Sequence, residues 1–113
     1  MIKKLKLFLL NSLFLFFCFP FNSWGKEIIY NGEILFKNNC SVCHLGGNNI
    51  IIPEKNLKKQ TLDENGMNSI STITYQIMNG KNGMPAFGGR LTEVEIDEIA
   101  KYVLEASEKN FQN

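Results

Sequence analysis

Cys40-Ser41-Val42-Cys43-His44 places two thiols and an imidazole within five consecutive residues. This C-x-x-C-H spacing is the one used to attach a c-type haem. Two thiols about a helical turn apart can each add to one of the two vinyl groups on a porphyrin edge, and the adjacent imidazole then projects beneath the ring to ligate iron. His44 is the only histidine of the chain, so no other imidazole could serve. Three other readings of the same residues stay open here. A thioredoxin-like dithiol would want a βαβ setting and a helix N-terminus activating the first thiol, and no β-rich pattern is present. A zinc site would want four donors, whereas three strong ones remain once Cys18 is set aside. The third is chance occurrence of a five-residue pattern.

A haem bound through one histidine leaves a sixth iron position to fill. Met67, Met78 and Met84 follow the motif. Met78 comes after Ile77 in a helical pattern, where core packing is the expected task, and Met67 stands just before the same helix. Met84 lies in Gly80-Lys81-Asn82-Gly83-Met84-Pro85-Ala86-Phe87-Gly88-Gly89. Glycines there allow tight backbone turns, and Pro85 stiffens the chain beside the thioether. Forty residues separate His44 from Met84, ample to wrap from one haem face to the other. Met84 is therefore the predicted partner of His44. A His/Met pair favours ferrous iron and raises the reduction potential. With both axial positions filled, no open site is left for oxygen or peroxide, so an electron carrier is predicted rather than an enzyme.

The elements that must position these groups read as all-α. The clearest helix is predicted over 92–107, where Thr92-Glu93-Val94-Glu95 fits a capping box. Ile96, Ile99, Ala100, Val103 and Leu104 then form one buried stripe. The acids Glu93, Glu95, Asp97 and Glu98 suit the positive end of the helix dipole and read as a solvated face. A first helix is predicted over 31–38, with Gly32 allowing another helix to approach closely; Ile99 and Tyr102 are the expected counterparts. A third, over 68–78, buries Ile70, Ile73 and Ile77 and ends at Asn79-Gly80. Between them are expected a turn at 46–49, an extended apolar stretch at 50–53 against the haem edge, a short helical piece over 55–60, and the start of another turn at 61–64. Three to five short helices around one covalently bound haem would supply the apolar core that so short a chain lacks.

Residues 1–25 read as a cleaved signal peptide, leaving 26–113 as one haem domain. Lys3, Lys4 and Lys6 precede an apolar run over 7–19 that Asn11 and Ser12 interrupt and Pro20 ends. Ser23 and Gly25 supply small residues at −3 and −1 of a cleavage after Gly25. The run is shorter than the roughly 20 residues that cross a bilayer, so the mature protein is not expected to be membrane-embedded. Of twelve basic and eleven acidic residues, three basic ones and no acid lie in this segment, leaving nine against eleven in the remainder. That balance excludes a nucleic-acid binder, which needs a basic stripe.

Residues 27–109 resemble the cytochrome c6 family, soluble class I c-type cytochromes of cyanobacteria and algal plastids. The haem motif, Gly32 with Phe36, and the Met-Pro loop are similar to class I cytochromes as a whole. Gly46-Gly47-Asn48-Asn49, Pro53-Glu54-Lys55, Leu57-Lys58-Lys59, Tyr75-Gln76, Asn79-Gly80-Lys81-Asn82 and Met84-Pro85-Ala86-Phe87-Gly88-Gly89-Arg90-Leu91 carry the closer resemblance. It implies a monomeric carrier of haem c that takes an electron from the cytochrome b6f complex and gives it to photosystem I, through transient contacts in a thylakoid lumen. It implies Cys40 and Cys43 as thioether attachments and His44 and Met84 as axial ligands. It further implies Gln76 beside the haem as a tuning residue, and Arg90 in contact with photosystem I next to an exposed Phe87. Against these stand plainer roles: Gln76 as a surface helix residue, Arg90 paired with an acid such as Glu93. Gly83 stands where a slightly larger residue would also fit, and the tail Phe111-Gln112-Asn113 lacks the family's typical final aromatic pattern. A plastid lumen is the expected location, with a cyanobacterial lumen or a bacterial periplasm, and a respiratory role there, as the alternative.

Overall fold

The computed structural model describes residues 30–112; the predicted signal over 1–25, its cleavage point and Cys18 lie outside them. Among the described residues five α-helices follow one another: α1 (Gly32–Asn39), α2 (Ser41–His44), α3 (Lys59–Glu64), α4 (Ile70–Asn79) and α5 (Glu93–Glu108). Single 3-10 turns occupy Leu45–Gly47 and Pro53–Lys55. No strand forms among the described residues, and isolated bridges at Lys81–Met84 and Gly88–Leu91 only pinch loops. The all-α expectation holds.

Helix starts follow local chemistry. The Asn31 side chain accepts from the Ile34 amide at 3.1 Å, and Ser69 Oγ from the Thr72 amide at 3.2 Å, each satisfying a first-turn donor. At α5 the capping box is reciprocal: Thr92 Oγ1 accepts from the Glu95 amide at 3.2 Å while Glu95 Oε2 accepts from the Thr92 amide at 2.8 Å. The α5 stripe is buried as its period requires, at Ile96, Ile99, Ala100 and Val103. Its acids are used locally, with Asp97 and Glu98 each 2.8 Å from Lys101.

α1 and α5 cross at Gly32, although the counterpart differs from the one expected. A β-carbon at Gly32 would fall on the Glu98 carbonyl and 3.0 Å from Tyr102 Cβ. Tyr102 is thus a neighbour as predicted, but backbone at Glu98, not the Ile99 side chain, sets the closest approach. The middle of the chain also departs from its reading. No helix spans 55–60, because the Leu57 amide donates 2.7 Å to the Gly47 carbonyl and Asn56 Oδ1 accepts from the Lys58 amide at 3.0 Å. Those two bonds pull 56–58 out of helical register, and α3 starts afterwards and includes 61–64. Residues 50–52 bend instead of extending, since Asn49 Oδ1 accepts from the Ile51 and Ile52 amides at 3.0 and 2.9 Å.

Candidate haem site

α2 is a single turn that carries the motif. The Cys40 carbonyl accepts from the Cys43 amide at 3.1 Å and from the His44 amide at 2.9 Å, which places both cysteines and the histidine around one short arc. Cys40 and Cys43 are not joined to each other in a disulfide. Burial pushes the Cys40 thiol up to about 11. A dithiol oxidoreductase needs the opposite, a first cysteine whose pKa is lowered so that thiolate forms at neutral pH. The βαβ setting that a thioredoxin-like dithiol would want is also absent among the described residues, which are helical.

His44 Nδ1 lies 2.9 Å from the Asn48 carbonyl oxygen. A carbonyl only accepts, so the proton sits on Nδ1 and the lone pair of Nε2 is left free for a metal. The Asn48 amide in turn donates to the Leu45 carbonyl at 3.2 Å, which closes the loop after α2. Sequence reading missed this contribution because it is made by backbone, which no residue type advertises.

The Met84 loop is built on α4. The Phe87 and Gly88 amides donate to the Ile77 and Met78 carbonyls at 2.9 and 3.0 Å, satisfying acceptors that the helix end leaves open. Lys81 and Met84 exchange two backbone hydrogen bonds of 3.0 Å. Gly80, at φ 65°, is needed where the loop doubles back: a β-carbon there would lie 2.7 Å from the Ala86 nitrogen. Gly83 has less room than expected, since a β-carbon would press Ile51 Cγ2 at 3.0 Å. Gln76 Nε2 donates toward Met84 Sδ at 3.7 Å. The plainer reading of Gln76 as a surface helix residue gives way to this contact.

A cavity of about 360 Å³ brings these parts together. Cys40, Cys43 and His44 line it, as do Met84, Gln76 and Phe87. Met67 reaches it too, whereas Met78 does not and packs against the core instead. Of the nine buried apolar residues among those described, seven also face it, Phe36, Leu62, Ile73, Ile77, Phe87, Ile99 and Val103. Two thiols, an imidazole with a free Nε2 and a thioether around an apolar hollow fit a porphyrin bearing iron.

Two expectations about the outer face are corrected. Phe87 is not exposed: only 7% of it is accessible, because its ring belongs to the core and lines the cavity. Arg90 does not pair with Glu93, and no carboxylate among the described residues comes within ion-pair distance of it. Its guanidinium carbon lies 4.9 Å from the centre of the Phe87 ring instead. The apolar surface near the motif comes from other residues, with Val42 79%, Leu45 73% and Ile51 54% exposed.

Comparison with known proteins is consistent with this arrangement. Residues 29–103 match a family model described as cytochrome C oxidase, cbb3-type, subunit III. The cytochrome c6 of Bumilleriopsis filiformis is 59% identical over 83 residues, covering 74% of this chain and 96% of its own. That of Pyropia yezoensis is 50% identical over 109 residues, covering 96% of this chain and 99% of its own. The structure of cytochrome c6 from the diatom Phaeodactylum tricornutum superposes with a TM-score of 0.68 at 48% identity, covering 70% of this chain and 93% of that one. The chain belongs to the cytochrome c6 family, electron carriers rather than enzymes, and it carries one covalently bound haem c.

Proposed function

We propose that the mature chain shuttles one electron from the cytochrome b6f complex to photosystem I, as a soluble monomer in the thylakoid lumen of a plastid. Cys40 and Cys43 would hold the haem through thioether bonds, and His44 and Met84 would ligate its iron. The observation that carries this reading is the convergence of those four side chains on one apolar cavity. The bound haem supplies the one-electron couple. His44 is oriented by the Asn48 carbonyl, Met84 is held by the Lys81 pairing and approached by Gln76, and the apolar lining keeps water from the centre. Val42, Leu45 and Ile51 give a small apolar face beside the motif, suited to a brief encounter. Exposed Arg90 supplies a cation for steering toward photosystem I.

The location rests on residues 1–25 acting as a signal removed after Gly25. The relative from Bumilleriopsis filiformis supports a mature domain of this size, since 83 aligned residues make up 96% of it. The algal relatives support the plastid. The family model's description, an oxidase subunit, favours a second reading: a periplasmic class I cytochrome c feeding a respiratory chain.

Two measurements test the proposal. Oxidised and reduced visible spectra are expected to show a thioether-bound haem and a weak far-red sulfur-to-iron band. That band is expected to vanish in Met84→Ala and persist in Met67→Ala; the reverse pattern would move the ligand to Met67. Flash kinetics with photosystem I particles should show fast re-reduction of the photo-oxidised centre. Rapid oxidation by a terminal oxidase with no reaction at photosystem I would establish the respiratory reading instead.

A further inference from the structure

The segment after α5 ends in a geometry that helix termination only half explains. The Asn110 amide donates to the Ser107 carbonyl at 2.9 Å and the Phe111 amide to the Ala106 carbonyl at 2.8 Å. These are the paired bonds of a Schellman motif, which accounts for the positive φ of 49° at Asn110. It does not account for Phe111, whose own φ is 57°. A left-handed aromatic residue is rare and persists only where its surroundings over-determine it.

What over-determines Phe111 is Gly47. A β-carbon there would land in the Phe111 ring, 2.8 Å from Cγ and 2.9 Å from Cε2. Gly47 is buried and itself left-handed, at φ 75°. The ring is held from behind by Phe36, 5.9 Å between centres, and by Tyr102, edge-on at 6.3 Å. Gly47 immediately precedes Asn48, whose carbonyl holds His44 Nδ1. The Gly47 carbonyl is bonded on to Leu57 at 2.7 Å, so the other side of this short loop is anchored as well.

From this chain of contacts we infer that Phe111 is a positioning residue for His44: its ring pins Gly47, and the pinned loop presents the Asn48 carbonyl to Nδ1. The inference rests on His44 being the iron ligand. An imidazole that donates its Nδ1 proton to a carbonyl is a stronger electron donor through Nε2. Loosening that bond weakens the donation and favours the reduced iron, so the reduction potential rises.

The test uses the mature haem-loaded protein, read by NMR in the reduced state and by redox titration. In Phe111→Ala, and in the milder Phe111→Leu, exchange of the His44 Nδ1 proton with solvent should become about tenfold faster relative to the α4 amides. The reduction potential should rise. Phe111→Tyr, which keeps the ring, should keep both near the parent values, and Gly47→Ala, which displaces the ring from the other side, should move both in the Phe111→Ala direction. Ile96→Val, a core change in α5, should lower stability without moving either. If Phe111→Ala lowers stability but leaves exchange and potential at the Ile96→Val level, Phe111 is mere packing and the inference falls. If the parent protein shows no Nδ1 proton in the shift range of a haem ligand, the ligand reading falls and takes the inference with it.

Discussion

The guanidinium carbon of Arg90 lies 4.9 Å from the centre of the Phe87 ring, and that ring is part of the cavity wall. The stack holds a long flexible cation in one orientation, with no acid among the described residues in ion-pair range to neutralise it. Arg90→Gln should therefore slow photosystem I reduction several-fold, up to about tenfold at low salt, because a rim charge acts mainly on the encounter rate. The visible spectrum and melting temperature should stay close to those of the parent. Arg90→Lys should recover only part of the rate, since an ammonium keeps charge but not the planar stack. Stopped-flow or flash kinetics at two ionic strengths would measure this. A rate that is unchanged at both would remove Arg90 from the encounter.

Gln76 donates an N–H toward Met84 Sδ at 3.7 Å. The positive end of that dipole next to the proposed iron ligand would disfavour the ferric state. Gln76→Leu should lower the reduction potential. For a neutral hydrogen bond of about 1 kcal/mol the shift is about 40 mV for a one-electron couple. Redox titration decides it. A potential that stays put would mean that the amide faces the sulfur without acting on it.

Periodicity and motif chemistry exposed much of this molecule because its C-x-x-C-H motif and the helix α5 are written in local residue types. The α5 stripe and its capping box need only residues three or four apart, and the C-x-x-C-H turn needs five in a row. Tertiary bonds were another matter. The pull of Gly47 on Leu57 breaks the helix expected at 55–60, and the Asn48 carbonyl serves His44 through backbone alone. Phe87 and Arg90 were separated from their reading by the same cause: a core position cannot be told from a surface one inside a short glycine-rich loop. Phe111 carried no motif at all, and its part emerges only once Gly47, far away in sequence, lies beneath it.

Gly32 and Gly66 offer a paired test of packing. A side chain at Gly32 would collide with the Glu98 carbonyl, whereas at Gly66, φ 65°, nothing lies within 4 Å. Gly32→Ala must push α1 away from α5 and should lose about 3 kcal/mol or more of stability. Gly66→Ala carries only the left-handed backbone penalty, about 1–2 kcal/mol. Guanidinium denaturation of the oxidised holoprotein would rank them, and equal losses would contradict a close helix crossing at Gly32.

The core is arranged around something other than itself. Among the described residues, seven of nine buried apolar side chains face the cavity, and Ile96 and Ala100 are the two buried away from it. Without a bound group the side chains that face it line an open hollow in contact with water, which forfeits much of the apolar burial that drives folding in so small a domain. Cys40→Ser/Cys43→Ser, which removes the proposed attachments, should therefore yield a colourless chain with little helical signal by far-ultraviolet circular dichroism and poorly dispersed amide resonances. Restoring the cysteines in cells competent for haem attachment should bring back both colour and a cooperative melt. If the double variant instead melts cooperatively with helical content near that of the holoprotein, the helices close on each other without haem, and the cavity is then not the feature that holds this fold together.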